Sequence, residues 1–487
     1  MEVNADPKWI SSLTDPALNS IAVNNRRITS GSDEVLVNPA YEGDSDDSLK
    51  QSVEEILSSV YVTPGLRKVE DANAAKFGPR SIAVGWEDRK SSLYDYFGKE
   101  DDSRELRPNS RGHLRAASAE SVSKSLIKSS SSGLPYMRRK GLVLDDAITN
   151  WQNQEGEYPC VLYTRTQEDK KTRNVWGYPI SDTIAEQKLF IPWLEVEKNF
   201  QYRAALSGPT AVDLAISELL RVKTEDEIVV CVDFSAYDAS IQPQYIGDAF
   251  SVIASYFQSG ELDALDRVFR RFISIPVFTP DGEVSGLHGV PSGSSFTNTI
   301  DSLVQYAVSG KFGARCQVQG DDGVYIVRES DRDSLFESFR RAGLQINEDK
   351  SETYENSEAL YLQRYYSPDY PSRDNIGLGG VYSLYRALNR IKYLERWTDF
   401  EKMGIEGSDF FSLRTIMILE NCKHHPAFEA FVKFIHSGDK KGLAFSQQGL
   451  KAFSNSLQSK ARVGLFNDNS FKEGFSAFET VKLLNSF

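Results

Sequence analysis

Two runs of β-forming residues each end on a carboxylate, and that repetition constrains the fold of this chain more than any other feature. In "EIVVCVDFSAYDASI", Ile228 to Val232 form a continuous apolar run, the pattern of a central strand buried on both faces. Asp233 ends the run and Asp238 follows five residues later. The second run is "QVQGDDGVYIV", residues 317–327, where Val318, Val324, Ile326 and Val327 flank the adjacent Asp321 and Asp322. It predicts a buried hairpin with both carboxylates at its turn. Like charges side by side in a partly buried place resist ionisation. An Asp-Gly turn explains the stretch in purely structural terms. A divalent-cation site explains it equally, because hard cations take one or two carboxylates plus substrate phosphates. Strand ends bearing Asp233 and Asp321 are placed to share such cations. Ile246, Phe250, Ile253 and Phe257 mark a helix after the first run, and Asp238 or Ser240 as its N-cap is the structural alternative.

Between the two clusters lies "SGLHGVPSGSSFTNTIDSL", residues 285–303. Gly286, Gly289, Pro291 and Gly293 make a loop able to approach a ligand closely, and a helix is expected from about Ser294, with Phe296, Ile300 and Leu303 on one face. Thr297 and Asp301, four apart, share another face. A Gly/Ser loop entering a helix N-terminus is a natural seat for a sugar phosphate, although many loops read like "PSGSS".

The length of 487 residues predicts two or three packed units. Four scattered cysteines without metal-like spacing (Cys160, Cys231, Cys316, Cys422) indicate a reduced, intracellular setting. No apolar run approaches a membrane span, and "MEVNADPKWI" lacks the basic start and apolar stretch of a secretory signal. The net charge of −13 argues against a nucleic-acid partner, but its distribution argues otherwise. Residues 1–60 carry 4 Lys/Arg against 11 Asp/Glu, whereas residues 111–140 carry Arg111, Arg115, Lys124, Lys128, Arg138, Arg139 and Lys140 against Glu120 alone. A local basic stripe is what attracts a phosphate backbone; a solvated face is the alternative.

The order of these pieces, with an Asp five residues after a strand-ending Asp, then Ser-Gly-x-x-x-Thr-x-x-x-Asp, then Gly-Asp-Asp, resembles motifs A, B and C in the palm of viral RNA-dependent RNA polymerases. "SSSGLPY" (130–136) followed by "MRRKG" resembles motif G, and "YTRTQEDKKTRNVWG" (163–177) the basic motif F. "LQINEDKSE" (344–352) resembles motif D and "YLQRYY" (361–366) motif E. Asp301, where picornavirus-like enzymes carry asparagine, and "QGDDG" look closest to the polymerases of small double-stranded RNA viruses, picobirnavirus-like first and partitivirus-like next. An ionised Asp301 accepts hydrogen bonds but cannot donate one, which leaves sugar recognition open.

The resemblance implies an α+β right-hand polymerase with an encircled active site and an antiparallel palm sheet flanked by helices. Fingers would occupy 1–222, with fingertips and early palm segments around 178–208. The palm would span 223–370, with a fingers segment around 260–284, and a helical thumb with a C-terminal tail would span 371–487. It implies two Mg²⁺ (or Mn²⁺) held by Asp233, Asp321 and Asp322, with Lys350 as the acid for pyrophosphate. Arg165, Lys171 and Arg173, with Lys170 beside them, would bind the nucleotide together with Asp238, Ser292, Gly293, Thr297 and Asp301. Ser132, Gly133, Pro135, Arg138, Arg139, Gln363 and Arg364 would contact RNA. Implied partners are template RNA, product RNA, ribonucleoside triphosphates and a viral capsid protein, for a monomer without membrane contact in the virion interior and host cytoplasm. A reverse transcriptase and a catalytically silent RNA-binding protein with a relic palm are the alternatives; an Asp at 238, where reverse transcriptases commonly carry an aromatic residue, favours ribonucleotides. The Phe-rich tail 470–487, with Phe471, Phe475, Phe478, Leu483 and Phe487, is expected either to pack on the thumb or to fold back as a plug in the product cavity.

Overall fold

The computed structural model describes residues 1–100, 106, 112–456 and 474–487, together with the helical backbone of 457–461. Arg111 and Phe471 lie outside the described residues.

Twelve strands form three sheets among the described residues. The first joins β1 (Glu2–Asn4), β2 (Cys160–Thr166), β3 (Thr172–Gly177), β5 (Val277–Thr279) and β6 (Gly282–Ser285) in the order β1-β6-β5-β2-β3. The second joins β4 (Glu227–Val232), β7 (Cys316–Gln319), β8 (Asp322–Arg328) and β9 (Glu352–Tyr354) in the order β7-β8-β4-β9, every pairing antiparallel. The third joins β10 (Ala359–Tyr361), β11 (Arg364–Tyr366) and β12 (Val381–Tyr382).

The continuous apolar run is β4. All six of its residues are buried, because an inner strand has neighbours on both edges and helices on a face. Val230 and Val232 pack with Phe250, Phe269, Ile300 and Phe339 from the helices Pro243–Ala254, Leu262–Ser274, Thr297–Ser309 and Arg332–Arg341. Val229 and Cys231, on the opposite side, pack with Val212, Ile216 and Tyr366, following the period of two of a strand.

The hairpin β7–β8 exists, but its turn lies one step earlier than the Asp-Gly pair predicts. Gln319 pairs with Asp322, so Gly320 and Asp321 are the turn. Gly320 takes φ +67° at the first central position, where two-residue hairpins favour glycine. Gly323 instead sits inside β8, opposite both Val318 and Val232. A side chain there would press on the Gln305 amide, 2.6 Å from the site of a Cβ.

The helices Leu384–Lys392, Gly407–Glu420 and Phe428–Gly438, in the expected thumb, share one apolar cluster with Tyr41, Leu49, Val53 and Leu57. The segment around residues 41–57, expected within the fingers, thus packs against these helices. The tail does the same. Phe475, Phe478 and Val481 are buried in that cluster, and Glu420 caps the last helix, Glu479–Leu484, by accepting from the Thr480 N–H (3.0 Å) and hydroxyl (2.9 Å). Phe487 lies near His436 and Lys433. The described part of the tail is a packed thumb element, not a plug, because its apolar residues have a thumb surface to bury against.

Candidate active site

The register of the second sheet explains why two distant sequence clusters meet. Val232 opposes Gly323 across the antiparallel pair β4–β8, so Asp233, one step beyond β4, emerges beside Asp322, the first residue of β8. Asp321 stands at the adjoining turn. Asp233 is fixed by its backbone: its N–H donates to Ser351 Oγ at 3.0 Å and its carbonyl accepts from the Asn347 N–H at 2.9 Å. These contacts bring in the loop carrying Lys350, an exposed residue whose ammonium is felt by both Asp233 and Lys171.

A cavity of about 390 Å³ opens beside this sheet end, lined by Arg165, Lys171, Arg173, Asp238, Ser292 and Asp321 together with Tyr96, Asp95 and Ser92. The three cations come from the hairpin β2–β3, in which Arg165 pairs with Arg173 across the strands. All three are exposed. The hairpin is held from behind by Arg89, which donates to Asn174 Oδ1 and, at 2.7 Å, to Thr164 Oγ1.

The loop before the helix Thr297–Ser309 is fixed tightly to β3. Ser292 Oγ donates to the Asn174 carbonyl at 2.9 Å. A methyl group on Gly293 would overlap the Trp176 carbonyl oxygen and lie 2.8 Å from its carbon, so only glycine fits. The helix starts at Thr297 rather than near Ser294, because the buried Glu186 holds the preceding residues out of it. Its carboxyl accepts from Ser294 Oγ and from the Ser295 N–H, both at 2.7 Å. Thr297 Oγ1 donates within the loop, to the Pro291 carbonyl at 2.8 Å or that of Ser294 at 3.0 Å.

The electrostatics follow from crowding carboxyls at one place. Burial pushes Asp322 up to about 7, with repulsion from Asp321 and Asp233 adding to it. Burial, then Asp321, pushes Asp238 up to about 7 against the pull of Arg173. Asp233 is raised by burial and by Asp321, and Lys350 opposes the rise. Asp301 is 4 % exposed, and burial with repulsion from Asp238 and Asp321 holds its carboxyl well above the usual range. Its Oδ1 has no hydrogen-bond partner among the described residues. Burial beside other carboxyls favours the protonated form of Asp301, which unlike an ionised one can donate a hydrogen bond.

Among the described residues no group of three or more His, Cys, Asp or Glu side chains that could hold a metal ion is found, and of Asp233, Asp321 and Asp322 only Asp321 lines the cavity. The donors that do meet, hard carboxylate oxygens on one side of an open cavity with cations on the other, fit a divalent ion that completes its shell with substrate phosphate and water. Neither Asp238 nor Ser240 caps the helix Pro243–Ala254, whose N-cap is Gln242; Asp238 lies in a separate turn, Tyr237–Ser240.

Several expected RNA contacts take other roles. Arg364 is buried and donates to the Gly380 carbonyl (3.2 Å) and Asn421 Oδ1 (3.0 Å), tying the third sheet to the thumb. Ser132 is fully buried, and its hydroxyl serves the loop through Gly133 O and the Arg138 N–H. Gly133 is buried with φ +61°. Arg139 pairs with Asp399 of the thumb. Pro135 is half-buried, and Arg138 and Gln363 are exposed, Gln363 at the tip of β10–β11. Sequence reasoning missed Arg89, Glu186, Ser351 and Tyr96, whose partners lie 85, 108, 118 and about 140 residues away, too far for any local pattern to reveal.

A sequence model of the family "Viral RNA-dependent RNA polymerase" matches residues 105–376. The chain is 29 % identical over 478 residues to a "Potential RNA-dependent RNA polymerase" of human picobirnavirus, covering 90 % of this chain and 88 % of that protein. It is 26 % identical over 273 residues to the "RNA-directed RNA polymerase" of Cryptosporidium parvum virus 1, covering 49 % and 52 %. The crystal structure of the RNA-dependent RNA polymerase of a human picobirnavirus superposes with a TM-score of 0.81 at 25 % identity, covering 99 % of this chain and 100 % of that one. These matches favour neither the reverse transcriptase nor the relic reading. With a family match over more than half its length, joined to carboxylates that meet cations across one cavity, the chain belongs to the viral RNA-dependent RNA polymerases.

Proposed function

We propose that the chain copies a viral RNA genome by extending a product strand on a template with ribonucleoside triphosphates, using Asp233, Asp321 and Asp322 as the acidic centre. One observation carries the assignment: Asp238 and Asp321 face Arg165, Lys171 and Arg173 across a single cavity. Polymerases of this family act with divalent metal ions. Here Asp233, Asp321 and Asp322 would hold two Mg²⁺, with Mn²⁺ the alternative. When bound, such ions lower the pKa of the primer 3′-hydroxyl and offset charge on the leaving group.

The chain's own residues do the rest. Arg165, Lys171 and Arg173 draw in the triphosphate and compensate charge on the phosphoryl oxygens as the transition state forms. Partial desolvation at the cavity wall and the neighbouring Arg173 lower the Lys171 pKa, and a triphosphate between the three cations would offset that repulsion. The 3′-hydroxyl gives its proton to water as its oxygen bonds to the α-phosphorus, the bond from that phosphorus to the bridging oxygen breaks, and Lys350 gives its proton to the departing pyrophosphate. Asp238 accepts from the ribose 2′-hydroxyl, and a protonated Asp301 beside it supplies the hydrogen-bond donor that an ionised one lacks. Ser292, Gly293 and Thr297 shape the sugar side of the cavity. Arg138 and Gln363 remain as exposed contacts for RNA.

The same reading places the enzyme with its capsid protein in the virion interior and in the host cytoplasm, working as a monomer. No described helix is long and apolar enough to cross a membrane. Incubation of the purified chain with single-stranded RNA, primed or unprimed, and labelled nucleotides tests the core of the proposal. Metal-dependent incorporation of ribonucleotides supports it. Preference for deoxynucleotides, or no incorporation with either metal, overturns it.

A further inference from the structure

Among the described residues the most deeply placed Arg or Lys is Arg203, 1 % exposed, in a short irregular helix between the helix Ile180–Glu197 and the helix Pro209–Arg221. Among those residues it forms an ion pair with Glu197 alone, 2.9 Å away and fully buried. A buried ion pair is weak evidence for a stability role, because an apolar pair of similar volume often serves as well. What an apolar side chain cannot do is reach five acceptors at once.

Arg203 does so across three chain segments besides its own. Nε donates to Glu197. Nη2 donates to Asn298 Oδ1 at 2.8 Å. Nη1 serves Ser302 Oγ, Gln319 Oε1 (2.8 Å) and the Val318 carbonyl (3.2 Å). Asn298 and Ser302 lie one turn apart on the helix Thr297–Ser309; Val318 and Gln319 end β7, immediately before the Gly320–Asp321 turn. Ser302 Oγ also accepts from the Gly320 N–H at 2.8 Å, and Gln305, further along the helix, donates to the Asp321 carbonyl at 3.0 Å. Glu197 closes the cluster from the other side, accepting from Thr299 Oγ1 at 2.7 Å and from Trp193 Nε1 at 3.1 Å.

We propose that Arg203 is a positioning residue that locks the Gly320–Asp321 turn to the helix Thr297–Ser309, so that the carboxylate turn and the nucleotide-side loop move as one body. Arg203 touches neither substrate nor reacting atoms. Its planar fork fixes direction as well as distance, which the point charge of lysine does not. The inference rests on Asp321 belonging to the reaction centre.

The test uses Arg203→Lys and Ser302→Ala in the full-length chain, with folded fraction, kcat and KM for a ribonucleotide on a primed template. Ser302→Ala removes the one hydroxyl that bridges the guanidinium to the Gly320 N–H while leaving Arg203 its other four acceptors, so it folds even where substitutions of Arg203 do not. The expected result is a fall in kcat on the order of 10-fold or more in folded enzyme, since small misplacements cost about 10²-fold, with KM held within about 2-fold. The double variant falls by less than the product of the single effects, as expected for one shared network. Wild-type kcat in folded Ser302→Ala, or activity lost only in proportion to folded protein, overturns the proposal. Asp321→Asn separates the two levels: an active Asp321→Asn refutes the reaction centre, whereas an inactive one alongside normal Ser302→Ala refutes the lock alone.

Discussion

Substituting Gly293 by alanine tests the joint between the nucleotide-side loop and the basic hairpin. The added methyl would overlap the Trp176 carbonyl oxygen and lie 2.8 Å from its carbon. Both partners are backbone, so no rotamer relieves the clash. Either the loop or β3 must shift by more than an ångström to relieve the overlap. Overpacking of this kind costs about 1–3 kcal/mol. The Ser292 bond to the Asn174 carbonyl, one residue from the clash on the loop and two on β3, adds about 1 kcal/mol if it breaks. The expected destabilisation is therefore about 2–4 kcal/mol. The kinetic effect should be larger than stability alone explains, because the shift separates Ser292 from Arg173, two walls of the same cavity. A loss on the order of 10²-fold in kcat/KM for a ribonucleotide is expected. Denaturant unfolding and steady-state kinetics measure the two effects. Gly260→Ala is the control: nothing lies within 4 Å of its added methyl, and it should stay within about 0.5 kcal/mol of the parent. A Gly293→Ala variant with parental stability and kcat/KM would refute the close approach and the loop's role.

Asp238→Ala should relax or cripple sugar choice; an unchanged ratio of kcat/KM between a ribonucleotide and its 2′-deoxy analogue removes Asp238 from recognition. Glu186→Gln tests a buried titration. Burial pushes Glu186 from 4.5 up to about 7, so the native state holds a proton that the unfolded chain releases. That stabilisation is complete below pH 4.5 and lost as pH rises through about 7. The stability of the parent relative to Glu186→Gln should fall by about 3 kcal/mol across that interval, and a difference independent of pH contradicts the assignment. Arg80→Met breaks the pairs that Arg80 makes with Glu168 at 3.1 Å and Glu395 at 2.6 Å. The loss should be about 2 kcal/mol, below the 3–5 kcal/mol of a fully buried pair because the acids are partly solvated. Denaturant unfolding measures it, and parental stability would contradict the weight given to these pairs.

Much of the site was legible because its parts are local. The apolar run 228–232 is β4, and Asp233 does end it. The basic hairpin, the glycine loop and the carboxylate hairpin each carry their pattern within a few residues. What stayed hidden depends on long-range packing. Glu186 keeps Ser294 and Ser295 out of the helix from 108 and 109 residues away, so the helix start could not be read locally. Arg364 reads as an RNA contact in "YLQRYY", yet Gly380 and Asn421 claim its guanidinium. Gly323 looks like the turn glycine, but the register gives the turn to Gly320. Asp301 reads as an ionised side chain until the fold surrounds it with other carboxyls. The contact of the N-terminal segment around Tyr41 and Val53 with the C-terminal helices joins residues more than 300 positions apart, which no local pattern reveals.

The central claim is that the carboxylates meeting at the ends of β4 and β8 carry the transfer of ribonucleotides, while basic residues supply affinity for RNA. Single-turnover incorporation by Asp321→Asn, measured beside its binding of the same primed template over a range of salt, tests both halves at once. The predicted result is an incorporation rate below detection, with RNA affinity and its salt dependence close to the parent, since counterion release depends on the cations. Parental incorporation by Asp321→Asn would contradict the claim.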